Sequence, residues 1–125
     1  MSEILFLEYP KCSTCQKARK WLEHHQIQFK ARHIVDNPPS VAELQQWLNI
    51  SDRPLKGFFN TSGLKYKALQ LKDKLPQMSR EQQLQLLASD GMLVKRPLII
   101  AGSVVLTGFK EEEWQQKLLQ EQSGL

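Results

Sequence analysis

Cysteine is scarce in this chain: there are two among 125 residues, and both fall within one four-residue stretch. So few thiols exclude a disulfide-stapled scaffold, which needs several bridges to substitute for a small core. The three histidines, His24, His25 and His33, lack finger-like spacing and have no second cysteine pair to join, so no metal site is expected. Long apolar runs are missing, as is a basic-then-apolar leader, which predicts a cytoplasmic address and no membrane attachment. Charge of one sign is not in large excess, since 17 Lys and Arg against 13 Asp and Glu leave a formal net charge of +4. The basic residues are scattered, not gathered into an arm, which argues against direct nucleic acid binding but permits an anionic small ligand or an acidic protein partner. No phosphate loop, catalytic carboxylate pair or Ser/His/Asp set is visible. A length of 125 residues with 41% hydrophobic content suits one domain spanning 1–125, with a real core and no room for a second. A monomer is expected.

What is present is concentrated at Tyr9-Pro10-Lys11-Cys12-Ser13-Thr14-Cys15-Gln16-Lys17-Ala18. The preceding Ile4-Leu5-Phe6-Leu7 suits a buried strand, and Cys15, Ala18, Trp21 and Leu22 recur with helical spacing, so the cysteines sit at a strand-to-helix turn. Ser13 is expected to cap that helix, whose first amides and positive dipole end point toward Cys12 and favour its thiolate. Lys11, Lys17 and Arg19 are expected to add positive charge nearby. Positions three apart share a helix face, so Cys12 reads as the attacking thiol and Cys15 as the one that resolves. Half of a zinc site, or two inert thiols, are the alternatives.

Along the chain, the first helix should run to about Gln26, and alternation over 28–35 predicts a second strand. Ser40 with Glu43 and Ser79 with Gln82 are capping boxes that open two further helices, the second stopped by Gly91. Between them, Asn60-Thr61-Ser62-Gly63 signals a turn, and 64–71 predicts one or two helical turns. Leu98-Ile99-Ile100-Ala101 and Val104-Val105-Leu106-Thr107, joined by Gly102-Ser103, form a hairpin, and an acidic-to-basic helix follows over 109–119 before a frayed Ser123-Gly124-Leu125. His24 and His25 suit a helix C-terminus, and Trp21, Trp47 and Trp114 suit packing. The result is an α/β, thioredoxin-like fold: a four-stranded mixed sheet with a helical insertion at about 40–92 between the second and third strands. In such a fold Pro97 opens the third strand, beside the active cysteine, with a cis peptide bond, the alternative being an ordinary edge-strand proline.

The motifs Tyr-x-x-x-Cys-x-x-Cys-x-Lys-Ala at 9–18, Asn37-Pro38-Pro39, Phe59-Asn60-Thr61-Ser62-Gly63 with Tyr66, Leu86-Leu87-Ala88-Ser89-Asp90-Gly91-Met92-Leu93, Lys95-Arg96-Pro97-Leu98 and Gly108-Phe109-Lys110 together resemble the arsenate reductase-like family, which includes the Spx regulators. The resemblance covers nearly the whole chain, in order. It implies that Cys12 is the nucleophile, that Arg96 contributes to an anion or thiolate site, and that Lys11, Ser13, Thr14, Asn60 and Pro97 surround a thiol substrate or oxyanion. In the arsenate-reducing members the residue matching Cys15 is usually serine, and arginines hold the anion at positions matching Asn60 and Gly108. The activity so implied is that of a thiol-disulfide oxidoreductase, with no bound cofactor and with glutathione, glutaredoxin or thioredoxin as electron donor. The substrate would be a small thiol compound, an oxyanion such as arsenate, or a redox protein. The alternative is an Spx-like redox sensor that binds RNA polymerase.

Overall fold

Four apolar residues in succession are stable as a strand only when both faces are covered, and Ile4–Glu8 is such a strand, β1. In the computed structural model, which describes residues 3–119, it is followed by helix α1 (Ser13–His24) and strand β2 (Lys30–His33). Helix α1 stops before the expected Gln26 because Gln26 takes a left-handed conformation (φ 57°). The amides of Gln26 and Ile27 turn back to the carbonyls of Glu23 and Leu22 at 3.0 Å each, a Schellman closure. Strand β2 is shorter than the predicted 28–35 because the His33 ring intervenes. Its Nδ1 accepts from the amides of Val35 (3.2 Å) and Asp36 (3.1 Å) and bends the chain into a turn.

Strands β3 (Leu98–Ala101) and β4 (Val104–Thr107) form the expected hairpin, turned at Gly102 with φ 61°. The mixed sheet has the order β2-β1-β3-β4, with β3 antiparallel to both β1 and β4. The last helix begins later than expected. Gly108 is left-handed (φ 74°) and Lys110 is extended, so α6 (Glu111–Trp114) starts at Glu111 and continues as a wide turn over Gln115–Leu119. The predicted frayed end at Ser123-Gly124-Leu125 lies outside the described residues.

The described residues form two compact units: those up to Arg32 with those from Arg96 onward, and His33–Lys95. In the first, one apolar cluster joins Ile4 and Phe6 of β1, Ala18, Trp21 and Leu22 of α1, Ile99 of β3, Leu106 of β4, and Trp114. Trp114 meets Trp21 edge-on (centroids 5.8 Å) and Phe109 likewise (4.8 Å), while its Nε1 donates to the Gly108 carbonyl at 3.1 Å. Its polar atom is thus satisfied inside the core.

The second unit carries the helical insertion. Both capping boxes form, at the start of α2 (Val41–Ile50) and of α5 (Arg80–Ser89). Two short helices, α3 (Leu64–Ala68) and α4 (Leu71–Lys74), replace the single segment expected at 64–71, because Gln70 between them is left-handed (φ 55°). Leu64 is 86% exposed. Gly91 has a different role from the predicted helix stop. Helix α5 ends at Ser89, and a Cβ on Gly91 would lie 2.0 Å from the Ile34 carbonyl oxygen, so this position requires the absence of a side chain.

Candidate functional site

The cysteine pair sits where β1 hands over to α1. The Cys12 amide donates to the Tyr9 carbonyl at 2.9 Å, which closes the turn, and the Cys12 carbonyl accepts the first helical bond, from Gln16, at 3.0 Å. Cys12 is therefore itself the N-cap, with extended backbone (φ −85°, ψ 122°), and Ser13 is the first helical residue. This corrects the expectation that Ser13 caps the helix. The N-cap is the position from which a side chain can reach the unpaired amides of the next two or three residues; here that side chain is a thiol, and it makes no capping hydrogen bond of ordinary geometry.

Both thiols are free, with Cys12 half-buried and Cys15 buried. Partial burial pushes the Cys12 thiol up. The Cys15 amide, the Cys15 thiol, the Thr14 amide and the Arg96 guanidinium all act the other way and outweigh it, so Cys12 is more acidic than an ordinary thiol. Cys15 moves in the opposite direction. Burial first, then hydrogen bonding to Cys12 and repulsion from its thiolate, push Cys15 from an ordinary 9.0 up to about 12, against the Tyr9 backbone and Arg96, which lower it. Two cysteines one turn apart thus differ in acidity, Cys12 being the more acidic thiol and Cys15 the one pushed up to about 12.

The cation acting on Cys12 is Arg96, not the expected Lys11, Lys17 or Arg19. Lys11 and Lys17 are exposed. Arg19 is engaged elsewhere: its guanidinium pairs with the Glu8 carboxylate and lies 5.9 Å from the Phe6 ring centroid and 5.4 Å from that of Phe29. Glu8 is only 4% exposed. A charged residue ending an apolar strand was the sequence signal for this pair. Arg96 precedes Pro97, and the bond between them is cis, as expected. The Pro97 carbonyl accepts from Gly108 at 2.8 Å.

The structure brings together Cys12, Cys15, Thr14 and Arg96, and places Pro97 next to Arg96 at the start of β3. Ser13 is exposed on the first turn of α1. Asn60 belongs to the second unit and is held in a turn there: its amide donates to Leu93 (2.8 Å), its carbonyl accepts from Gly63 (3.0 Å), and its side-chain oxygen accepts from the Ser62 hydroxyl (3.4 Å). Gly108 has a φ of 74° that any larger side chain would strain. Among the described residues no group of His, Cys, Asp and Glu is placed to hold a metal ion, and no helix is long and apolar enough to cross a membrane. Sequence reasoning missed the Tyr9 ring, which lies against the Arg96 guanidinium at 5.5 Å.

A mixed four-stranded sheet whose first strand turns into a helix with a cysteine at its N-cap position, with a cis-proline opening the third strand, defines a thioredoxin-like protein. Within that class the chain belongs to the ArsC family, whose sequence model matches residues 7–117. It is 52% identical over 113 residues to the uncharacterized protein YusI of Bacillus subtilis strain 168, covering 90% of this chain and 96% of YusI. It is 31% identical over 105 residues to the global transcriptional regulator Spx of Listeria innocua, covering 83% of this chain and 78% of that protein. Among solved structures, that of a possible arsenate reductase from Streptococcus mutans UA159 superposes with a TM-score of 0.82 at 43% identity, covering 92% of this chain and 99% of that one.

Proposed function

We propose that the protein is a thiol-disulfide oxidoreductase in which Cys12 attacks and Cys15 resolves. The observation that carries this reading is the placement of two free thiols one turn apart at the start of α1, Cys12 half-buried at the N-cap and Cys15 buried behind it, with which the lowered Cys12 and the raised Cys15 agree. The Cys12 thiolate attacks one sulfur of a substrate disulfide, forms a mixed disulfide and expels the other half as a thiolate, which takes up a proton. Cys15 is kept protonated first by burial, and in part by hydrogen bonding to Cys12 and by the charge of its thiolate; the last two depend on Cys12 being a free thiolate. Both influences end once Cys12 is bound in the mixed disulfide, so Cys15 becomes more acidic when its attack is needed. Its thiolate then attacks Cys12 Sγ, releases the second substrate thiol and leaves a Cys12–Cys15 disulfide. Two electrons from glutathione, glutaredoxin or thioredoxin return both thiols.

Arg96 supplies the fixed positive charge of the site and, with the Thr14 and Cys15 amides, holds the thiolate. Lys11, Ser13, Thr14 and Pro97 are assigned to binding, and the site acts without a bound cofactor or metal in the cytoplasm. Arsenate is the weaker substrate candidate. Gly108 and Asn60 stand where arsenate-reducing relatives carry arginines, and each lost charge-assisted bond to a dianion is worth roughly 1.5–3 kcal/mol.

The test is a mixed-disulfide trap with a glutathionylated peptide. Wild type should turn over and end as the internal disulfide, while Cys15→Ser should accumulate a stable adduct on Cys12. The same adduct accumulating in both proteins would remove Cys15 from the mechanism.

The 31% identity to Listeria innocua Spx favours a second reading, in which the same pair is a redox sensor and the partner is RNA polymerase. A pull-down on the polymerase α subunit with oxidised and reduced protein separates the two. Binding in neither state leaves the reductase alone.

A further inference from the structure

Strands β1 and β3 pair in an antiparallel register that sets Ile4 opposite Ala101 and Leu7 opposite Leu98. Extending that register two residues beyond the last pair brings Tyr9 opposite Arg96. There the guanidinium carbon lies over the Tyr9 ring, 5.5 Å from its centroid. The same residue is tied to the cysteine turn through its backbone, because the Tyr9 carbonyl accepts from the Cys12 amide at 2.9 Å. One side chain therefore meets the cation of the site while its main chain holds the nucleophile's turn.

We propose that Tyr9 is a positioning residue whose ring is the shelf that fixes the Arg96 guanidinium beside Cys12. The assignment rests on the reading of Cys12 as the reacting thiolate. An arginine side chain has four flexible torsions, and its attraction for an anion falls with distance, so a contact that narrows those torsions keeps the charge near the anion. A ring under one guanidinium face restricts those torsions by cation–π stacking and leaves the in-plane N–H edge for anions. Because Tyr9 sits at the end of β1 and Arg96 just before β3, the sheet register delivers both partners to the rim where α1 starts.

The test is the pH profile of Cys12 alkylation, followed by mass spectrometry in reduced, otherwise intact protein. Tyr9→Phe keeps the ring and should keep the profile. Tyr9→Leu, with Tyr9→Met as a second variant that preserves side-chain length, should move the profile up by about half a pH unit, equivalent to about threefold less thiolate below the pKa. Arg96→Gln should move it at least as far, and Tyr9→Leu should add nothing in the Arg96→Gln background. A ring that only packs would lower the unfolding midpoint equally in both backgrounds without moving the profile. An unmoved profile in folded Tyr9→Leu and Tyr9→Met, or an equal move when Arg96 is already gone, overturns the shelf. Turnover of a mixed disulfide is measured separately, so a protein that lacks turnover but shows the Arg96-dependent shift would sink the reductase and leave the shelf standing.

Discussion

Cys12 and Cys15 stand one helical turn apart, as N-cap and third residue of α1, and the protein drives their acidities in opposite directions. Each thiol contributes to the other's displacement, so the pair behaves as a unit. Substituting Cys15 therefore does more than remove a resolving thiol. The Cys15 thiol is among the groups that stabilise the Cys12 thiolate. Cys15→Ala should raise the Cys12 pKa and slow its alkylation near neutral pH by about threefold, a shift of about half a unit. Iodoacetamide labelling rates across pH would check this, and equal rates for the two proteins would contradict it.

The same displacements make the stability of the reduced protein depend on pH with two signs. At Cys12 the folded pKa is lowered, so its contribution is present above the ordinary thiol range and is lost as pH falls through the folded value. At Cys15 the folded pKa is raised, so its contribution is complete below the ordinary 9.0 and is lost as pH rises toward about 12. Urea midpoints measured under reductant across that alkaline window should fall more steeply for wild type than for Cys15→Ala. Parallel curves would remove Cys15 as the cause.

Arg19 bonds the Glu8 carboxylate with its Nε at 3.3 Å as well as through its terminal nitrogen, and so ties α1 to β1 behind the cysteine turn. Glu8 is nearly enclosed, so removing its partner leaves a carboxylate that water barely reaches. Arg19→Met should cost about 1–3 kcal/mol. The double substitution Glu8→Leu with Arg19→Met should recover most of that, because the enclosed charge goes as well. Denaturant unfolding of the single and double variants reads the difference directly, and a double variant no more stable than the single one would refute it.

Gly91 and Gly57 provide a paired test in the second unit. A Cβ on Gly91 would approach the Ile34 carbonyl oxygen to 2.0 Å and Val35 Cα to 3.0 Å, and both are backbone atoms that cannot swing aside. At Gly57 the nearest atom would be Arg53 Cβ at 3.8 Å, an ordinary contact. Gly91→Ala should therefore destabilise by about 2–3 kcal/mol or more, and Gly57→Ala by no more than about 0.5 kcal/mol. Thermal unfolding of the two variants would show the contrast.

Gly108 limits how the site could be re-equipped for an oxyanion. Its φ of 74° links the Pro97 carbonyl, which accepts its amide, to Trp114, which donates to its own carbonyl. Gly108→Arg should add a cation only with a loss of roughly 1–2 kcal/mol from the left-handed backbone. Arsenate turnover by the wild-type protein that matches or exceeds its disulfide turnover would overturn the preference for a disulfide substrate.

What was legible in the sequence was local. The two capping boxes, the Gly102-Ser103 hairpin and the strand-to-helix turn at Cys12 are each written within a few residues, because the groups that satisfy one another are chain neighbours. The motifs from Tyr9 to Lys110 likewise identified the family, whose model spans 7–117. The misplacement of the cap at Ser13 shows the margin of such reading: one residue decided whether a hydroxyl or the nucleophile itself faces the helix amides.

The sequence by itself determined that two thiols lie one turn apart at the mouth of a helix, for that follows from spacing alone. Only the tertiary structure decided which cation serves them. Lys11, Lys17 and Arg19 are close in sequence, yet the first two face solvent and Arg19 is taken by Glu8. Arg96 comes from the far side of the helical insertion and reaches Cys12 because β3 pairs with β1 in one register, with Tyr9 opposite to receive it. Charge acts through distance in space, and that distance is set by strand pairing and not by position along the chain.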